Sequence, residues 1–143
     1  SIPLVALIAV AMTGISLLLA WLAGDAATPL EDAIRSDADL WAVVVFALMV
    51  APVVEEIFFR GYLYTAVENT LGRWLAVLLV GLVFGLFHGV QYAGVPLALA
   101  AVTLMGLGTT WVRAYSGSVL PCVVLHVVYN LAGVSVLLMS RGE

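Results

Sequence analysis

The sequence predicts an all-α integral membrane bundle of about five transmembrane helices, a single domain over residues 1–143. Three observations lead there. The chain is 64% hydrophobic and only 10% charged, whereas an ordinary soluble domain is roughly 25% charged. Such a chain cannot cover itself with polar surface. Its apolar residues come in runs of about 20, the length that crosses a bilayer as a helix. Short turns carrying Gly, Ser and Pro separate the later runs.

The first run, Ile2 to Ala23, contains Thr13 and Ser16 as its polar residues and is long enough for one span. It is too long for the apolar part of a signal peptide, and no small-residue cleavage site follows it. The start at Ser1-Ile2-Pro3, without Met, is expected of a chain trimmed from a longer one. Gly24 to Asp39 reads as a solvated connector. Asp25, Glu31, Asp32, Asp37 and Asp39 face a lone Arg35 there, and Leu30 to Ile34 has room for a short surface helix.

Leu40 to about Val67 is the second span, with Pro52 inside it. Proline removes a backbone hydrogen bond, so a kink and freed carbonyls are expected near Pro52. Asn69 to Gly72 reads as a turn. The third span runs from Arg73 to Tyr92, with Gly81, Gly85 and Gly89 as a small-residue stripe for a closely approaching neighbour. After Ala93-Gly94-Val95, Pro96 opens a fourth span reaching about Tyr115, its interior kept small by Gly106, Gly108, Thr109 and Thr110. Ser116-Gly117-Ser118 is a turn with Ser118 as a helix cap. Val119 to about Met139 is the fifth span. Alternation of sides puts Arg73 and Arg113 together, opposite Arg35 and Arg141, so the positive-inside rule selects no orientation.

The net charge of −4 and the pI near 4.9 exclude a nucleic-acid partner, which would require a basic face. One cysteine, Cys122, excludes an internal disulfide and a cysteine zinc cluster. It reads as a small buried residue.

Few strong polar groups remain within the spans: Glu55, Glu56, Arg60, His88, His126 and Asn130. A charged side chain at a helix centre costs about 2.5–3.5 kcal/mol on insertion scales, so such residues are functional candidates. Glu56 and Arg60 are four apart and can neutralise each other on one helix face. Glu55 points about 100° away and has no partner on its own helix. His126 and Asn130 share a face. Each group alone has a structural reading as an interhelical hydrogen bonder or ion pair. Together, on three spans, they are an inventory for activating a water and stabilising an oxyanion.

Glu55-Glu56-x-x-x-Arg60, Phe84-x-x-x-His88 and His126-x-x-x-Asn130, in that order on successive apolar segments, resemble the three motifs of the CAAX-protease and bacteriocin-processing (CPBP, or Abi) intramembrane proteases. The resemblance covers roughly Leu40 to Met139. It implies peptide-bond hydrolysis within a membrane-embedded bundle. Glu55 would be the general base, with adjacent Glu56 as the alternative, and His88 would hold the water. His126 and Asn130 would stabilise the oxyanion, and Glu56 and Arg60 would hold the cavity in shape. Metal dependence stays open. Glu55, His88 and His126 form a His₂-carboxylate set of the type that holds catalytic zinc. No H-E-x-x-H motif is present, however, and the resemblance includes a metal-independent glutamate mechanism. The expectation is no resident cofactor, with zinc as the alternative.

The expected partners are membrane lipids and a membrane-associated peptide or protein substrate, of CAAX, bacteriocin or regulatory type. Abundant Ala, Val, Leu and Gly without Lys point to a bacterial or archaeal cytoplasmic membrane. Rival functions are a transporter or proton relay using the same buried groups and a non-catalytic immunity or scaffold protein. Loss of peptide cleavage on alanine substitution at Glu55 separates a protease from both.

Overall fold

A computed structural model describes residues 2–23 and 28–141. Six helices and no strand occur among the described residues: α1 (Ile2–Ala23), α2 (Pro29–Ala33), α3 (Asp37–Leu71), α4 (Arg73–Phe87), α5 (Pro96–Ser116) and α6 (Leu120–Arg141). α3, α5 and the Leu120–Met139 part of α6 are long and apolar enough to cross a membrane. The chain is a helical membrane protein. Part of the acidic connector, residues 24–27 with Asp25, lies outside the described residues.

α2 is fixed by a capping box, in which Thr28 Oγ1 accepts from the Glu31 amide and Glu31 Oε2 accepts from the Thr28 amide. α3 starts earlier than the apolar pattern predicts, at Asp37. Ser36 Oγ accepts the Asp39 amide, and Asp37 and Asp39 occupy the first turn, where the helix dipole favours acids. It also ends later. Asn69, Thr70 and Leu71 are helical, and Gly72 alone breaks the chain, at φ 84°. This left-handed conformation suits glycine.

The third span is shorter than predicted. α4 has 15 residues, about 22 Å at 1.5 Å per residue, and residues 88–94 are turns. His88 is therefore not a helical residue. Its amide bonds Gly85 O at 3.1 Å, and its ring Nδ1 takes Phe84 O at 2.8 Å. A continuing helix would have given Phe84 O to the His88 amide. The side chain supplies the missing rung.

α4 and α5 approach closely, and glycine makes that approach feasible. A Cβ on Gly81 would stand 2.8 Å from Leu107 Cα, and one on Gly106 would stand 2.9 Å from Gly81 O. Gly85 likewise admits Thr103. Gly89 does not belong to this contact, because it lies in the turn after α4 and faces only Leu86 O of its own chain turn. Gly108 faces Met12 of α1. The core between these helices is Phe59, Tyr64, Ala76, Val80, Phe84, Val102 and Met105. A second cluster joins Ile34 after α2 to Leu40 and Val44 of α3 and Val134 of α6. Cys122 is buried in a third, beside Val112 and Leu125.

α3 contains two π-helical stretches, Phe46–Val50 and Ile57–Leu63, which bracket the α-helical Ala51–Glu56. In each, a cap amide bonds five residues back, Ala51 to Phe46 O and Tyr64 to Phe59 O. A kink with freed carbonyls is expected near Pro52, and the first π stretch ends two residues before it. Such bulges shift the helical register and recur at functional sites. Here they set the rotation of the segment carrying both glutamates.

Candidate active site

The innermost layer is an ion pair. Glu56 and Arg60 are fully buried, with Arg60 Nη1 donating to Glu56 Oε1 at 2.9 Å. The rest of the guanidinium is enclosed by α5. Nη2 donates to Gly106 O at 2.8 Å and to Thr109 Oγ1, and Nε donates to Thr110 Oγ1 at 3.2 Å. The Phe84 ring lies 4.4 Å from Arg60 Cζ, within cation–π range. Each threonine hydroxyl accepts from Arg60 while donating to its own helix, Thr109 to Met105 O and Thr110 to Gly106 O. A planar fork with five donors suits this cage, whereas a lysine would leave acceptors unfilled.

Glu56 Oε1 also lies 2.9 Å from His126 Nδ1. Opposite a carboxylate oxygen, Nδ1 must carry its proton, so the contact fixes the ring and turns Nε2 outward. His88 is fixed in the same way, because Nδ1 must donate to Phe84 O and Nε2 is left free to accept. Both Nε2 atoms lie near Glu55 Oε2, His88 at 3.5 Å and His126 at 4.0 Å. Glu55 Oε2 is buried and has no hydrogen-bond partner. The structure thus brings together five of the residues singled out by spacing: Glu55, Glu56, Arg60, His88 and His126. Asn130 stands apart from the acids, where its Nδ2 donates to Ala47 O at 2.8 Å.

Glu55, His88, His126 and Asn130 all line one cavity of about 820 Å³. Tyr92 and Tyr129 line it too. Phe46, Phe87 and Val90 combine lining positions with large outward exposure, so the cavity meets the apolar exterior between α3 and the turn after α4. Pro29 and Ala33 also line it. α2, predicted as part of a mere connector, is therefore a wall of the cavity.

The donor chemistry of Glu55, His88 and His126 suits zinc, but their spacing does not. Two ligands at 2.0–2.1 Å from a tetrahedral ion are about 3.3 Å apart, and His126 Nε2 lies 4.0 Å from Glu55 Oε2. No group of three His, Cys, Asp or Glu among the described residues is placed to hold a metal ion.

Spacing did not single out Thr109, Thr110 or the Gly106 carbonyl as partners of Arg60. The available signal was two adjacent threonines in a largely apolar helix, one turn from a glycine. Arg113 is another. Its Nε donates to Arg60 O at 3.0 Å, within the second π stretch, and its guanidinium lies over Tyr64.

The family model described as Rce1-like, type II CAAX prenyl endopeptidase, matches residues 37–132. No curated protein and no solved structure matches the chain.

Proposed function

The chain belongs to the Rce1-like family of type II CAAX prenyl endopeptidases, and from that membership we propose that it hydrolyses a peptide bond of a membrane-associated CAAX-type substrate with a water activated by Glu55. The observation that carries the reading is Glu55 Oε2, a buried acceptor without a hydrogen-bond partner, 3.5 Å from His88 Nε2. A water on the cavity side of this pair could donate one hydrogen to each.

Glu55 removes one proton from the water as it attacks the scissile carbonyl, and His88 Nε2 accepts the other hydrogen and aims the oxygen. The oxyanion is met by His126 and Asn130. For His126 Nε2 to donate, that nitrogen must carry a proton alongside Nδ1, which faces Glu56 Oε1 at 2.9 Å. Asn130 Nδ2 has a second N–H beyond the one on Ala47 O. Protonated Glu55 then returns its proton to the leaving amine, and the atoms balance as hydrolysis. The apolar mouth at Phe46, Phe87 and Val90 suits a substrate presented from the bilayer. Composition favours a bacterial or archaeal cytoplasmic membrane as the setting.

The test is cleavage of isoprenylated CAAX peptides and an unmodified peptide library by the detergent-purified protein, wild type beside Glu55→Ala, with and without a chelator. Cleavage that disappears in the variant and survives chelation is expected. Cleavage restored only by zinc would overturn the metal-free route, and cleavage that persists in Glu55→Ala would overturn the role of Glu55.

A further inference from the structure

We infer that Pro52 is a positioning residue for Asn130, acting through a backbone carbonyl that it leaves without a helical donor. The inference rests on the reading of Asn130 as an oxyanion donor. Ahead of Pro52 the helix runs in π register, with the Ala51 amide bonded to Phe46 O, five residues back. The next rung in that register would join residue 52 to Ala47 O. Proline has no N–H to make it, and Asn130 Nδ2 occupies Ala47 O at 2.8 Å instead.

This matters because a side-chain amide has two chemically opposite ends. A carbonyl only accepts, so Ala47 O selects the nitrogen end of Asn130. An amide turned the other way would present its oxygen to a developing oxyanion and repel it. Pro52 thus orients from α3 a group carried by α6, one turn along that helix from His126.

A residue with an N–H at position 52 changes this in either register. In π register its amide takes Ala47 O directly. If the bulge relaxes to α register, the new amide stabilises that register by joining Leu48 O, and the Ala51 amide takes Ala47 O instead. Asn130 then competes with a backbone donor.

The test uses the full chain in nanodiscs. In one arm residue 52 is replaced in two ways, by Pro52→Ala and by the α-hydroxy acid lactate, which has the methyl side chain but no N–H. Losing one well-placed oxyanion donor costs about 10²–10³-fold in kcat, so weakening its orientation is expected to cost about tenfold. Pro52→Ala should lower kcat by that factor with KM unchanged, and lactate should restore it. Equal kcat in the two replacements would overturn the inference, because proline rigidity and not the missing N–H would then be at work.

The second arm needs no cleavage. The Ala47 carbonyl is labelled ¹³C=¹⁸O and its amide I band is read with and without Asn130→Leu. Removal of Asn130 should raise the band with Pro52 in place and leave it nearly unmoved in the Pro52→Ala background. Equal shifts in both backgrounds would overturn the inference. If the wild type cleaves nothing, the proposed function fails and this arm still decides the role of Pro52.

Discussion

His126 Nδ1 stands 2.9 Å from Glu56 Oε1, and that contact ties a fully buried ion pair to the open side of the cavity. Glu56 therefore has two tasks, neutralising Arg60 and holding the ring of His126. The adjacent Glu55 has neither. Two neighbouring acids with opposite environments should respond oppositely to substitution.

For Glu56→Ala we expect a loss of about 3–5 kcal/mol of stability, because it strands Arg60 as a buried unpaired charge. Glu56→Gln should lose less, since one amide oxygen can still accept. Thermal unfolding in a fixed detergent, read by far-UV circular dichroism, measures both. Equal stability of Glu56→Ala and wild type would mean that the ion pair is not the anchor described here.

Glu55→Gln should leave stability unchanged or slightly raised, because Oε2 makes no hydrogen bond that would be lost. Cleavage should fall by about 10²–10⁴-fold, the usual contribution of a general base. Side-by-side unfolding and single-turnover assays check the split. A variant that loses both together would place Glu55 in the structural layer with Glu56.

The spacing of Glu56 and Arg60 and the isolation of Glu55 were legible in the sequence because a charge in an apolar run is costly and stands out. The helical placement of His88 was not, because periodicity cannot register a side chain that takes over a backbone rung at Phe84 O. The π stretches were equally invisible. Phe46–Val50 and Ile57–Leu63 are almost wholly apolar, and apolar residues carry no mark of hydrogen-bond register. Asn130 was found by its spacing from His126, but its partner is the Ala47 carbonyl, which no side-chain pattern reveals.

Thr109→Val and Thr110→Val each replace a hydroxyl on the Arg60 guanidinium with a methyl group of similar size. Each leaves a buried charged donor short of an acceptor, which costs about 1–3 kcal/mol. The two share one guanidinium, so the double variant should depart from additivity by at least about 0.5 kcal/mol. A complete unfolding cycle over the four proteins measures this coupling, and strict additivity would show that the two hydroxyls do not act on Arg60 together.

Glycine at the α4–α5 contact makes a separable prediction. Gly81→Ala pushes a methyl group to 2.8 Å from Leu107 Cα, and backbone cannot swing aside as a side-chain tip can. Overpacking of this kind costs about 1–3 kcal/mol. It also spreads α4 from α5 one turn below Phe84 and two below His88, so cleavage should weaken along with stability. Gly133→Ala is the control, because a Cβ there has nothing within 4 Å. Alanine at a helix interior should stabilise that site by about 0.5–1 kcal/mol relative to glycine. If the two substitutions shift the unfolding midpoint alike, helix propensity and not close approach explains Gly81.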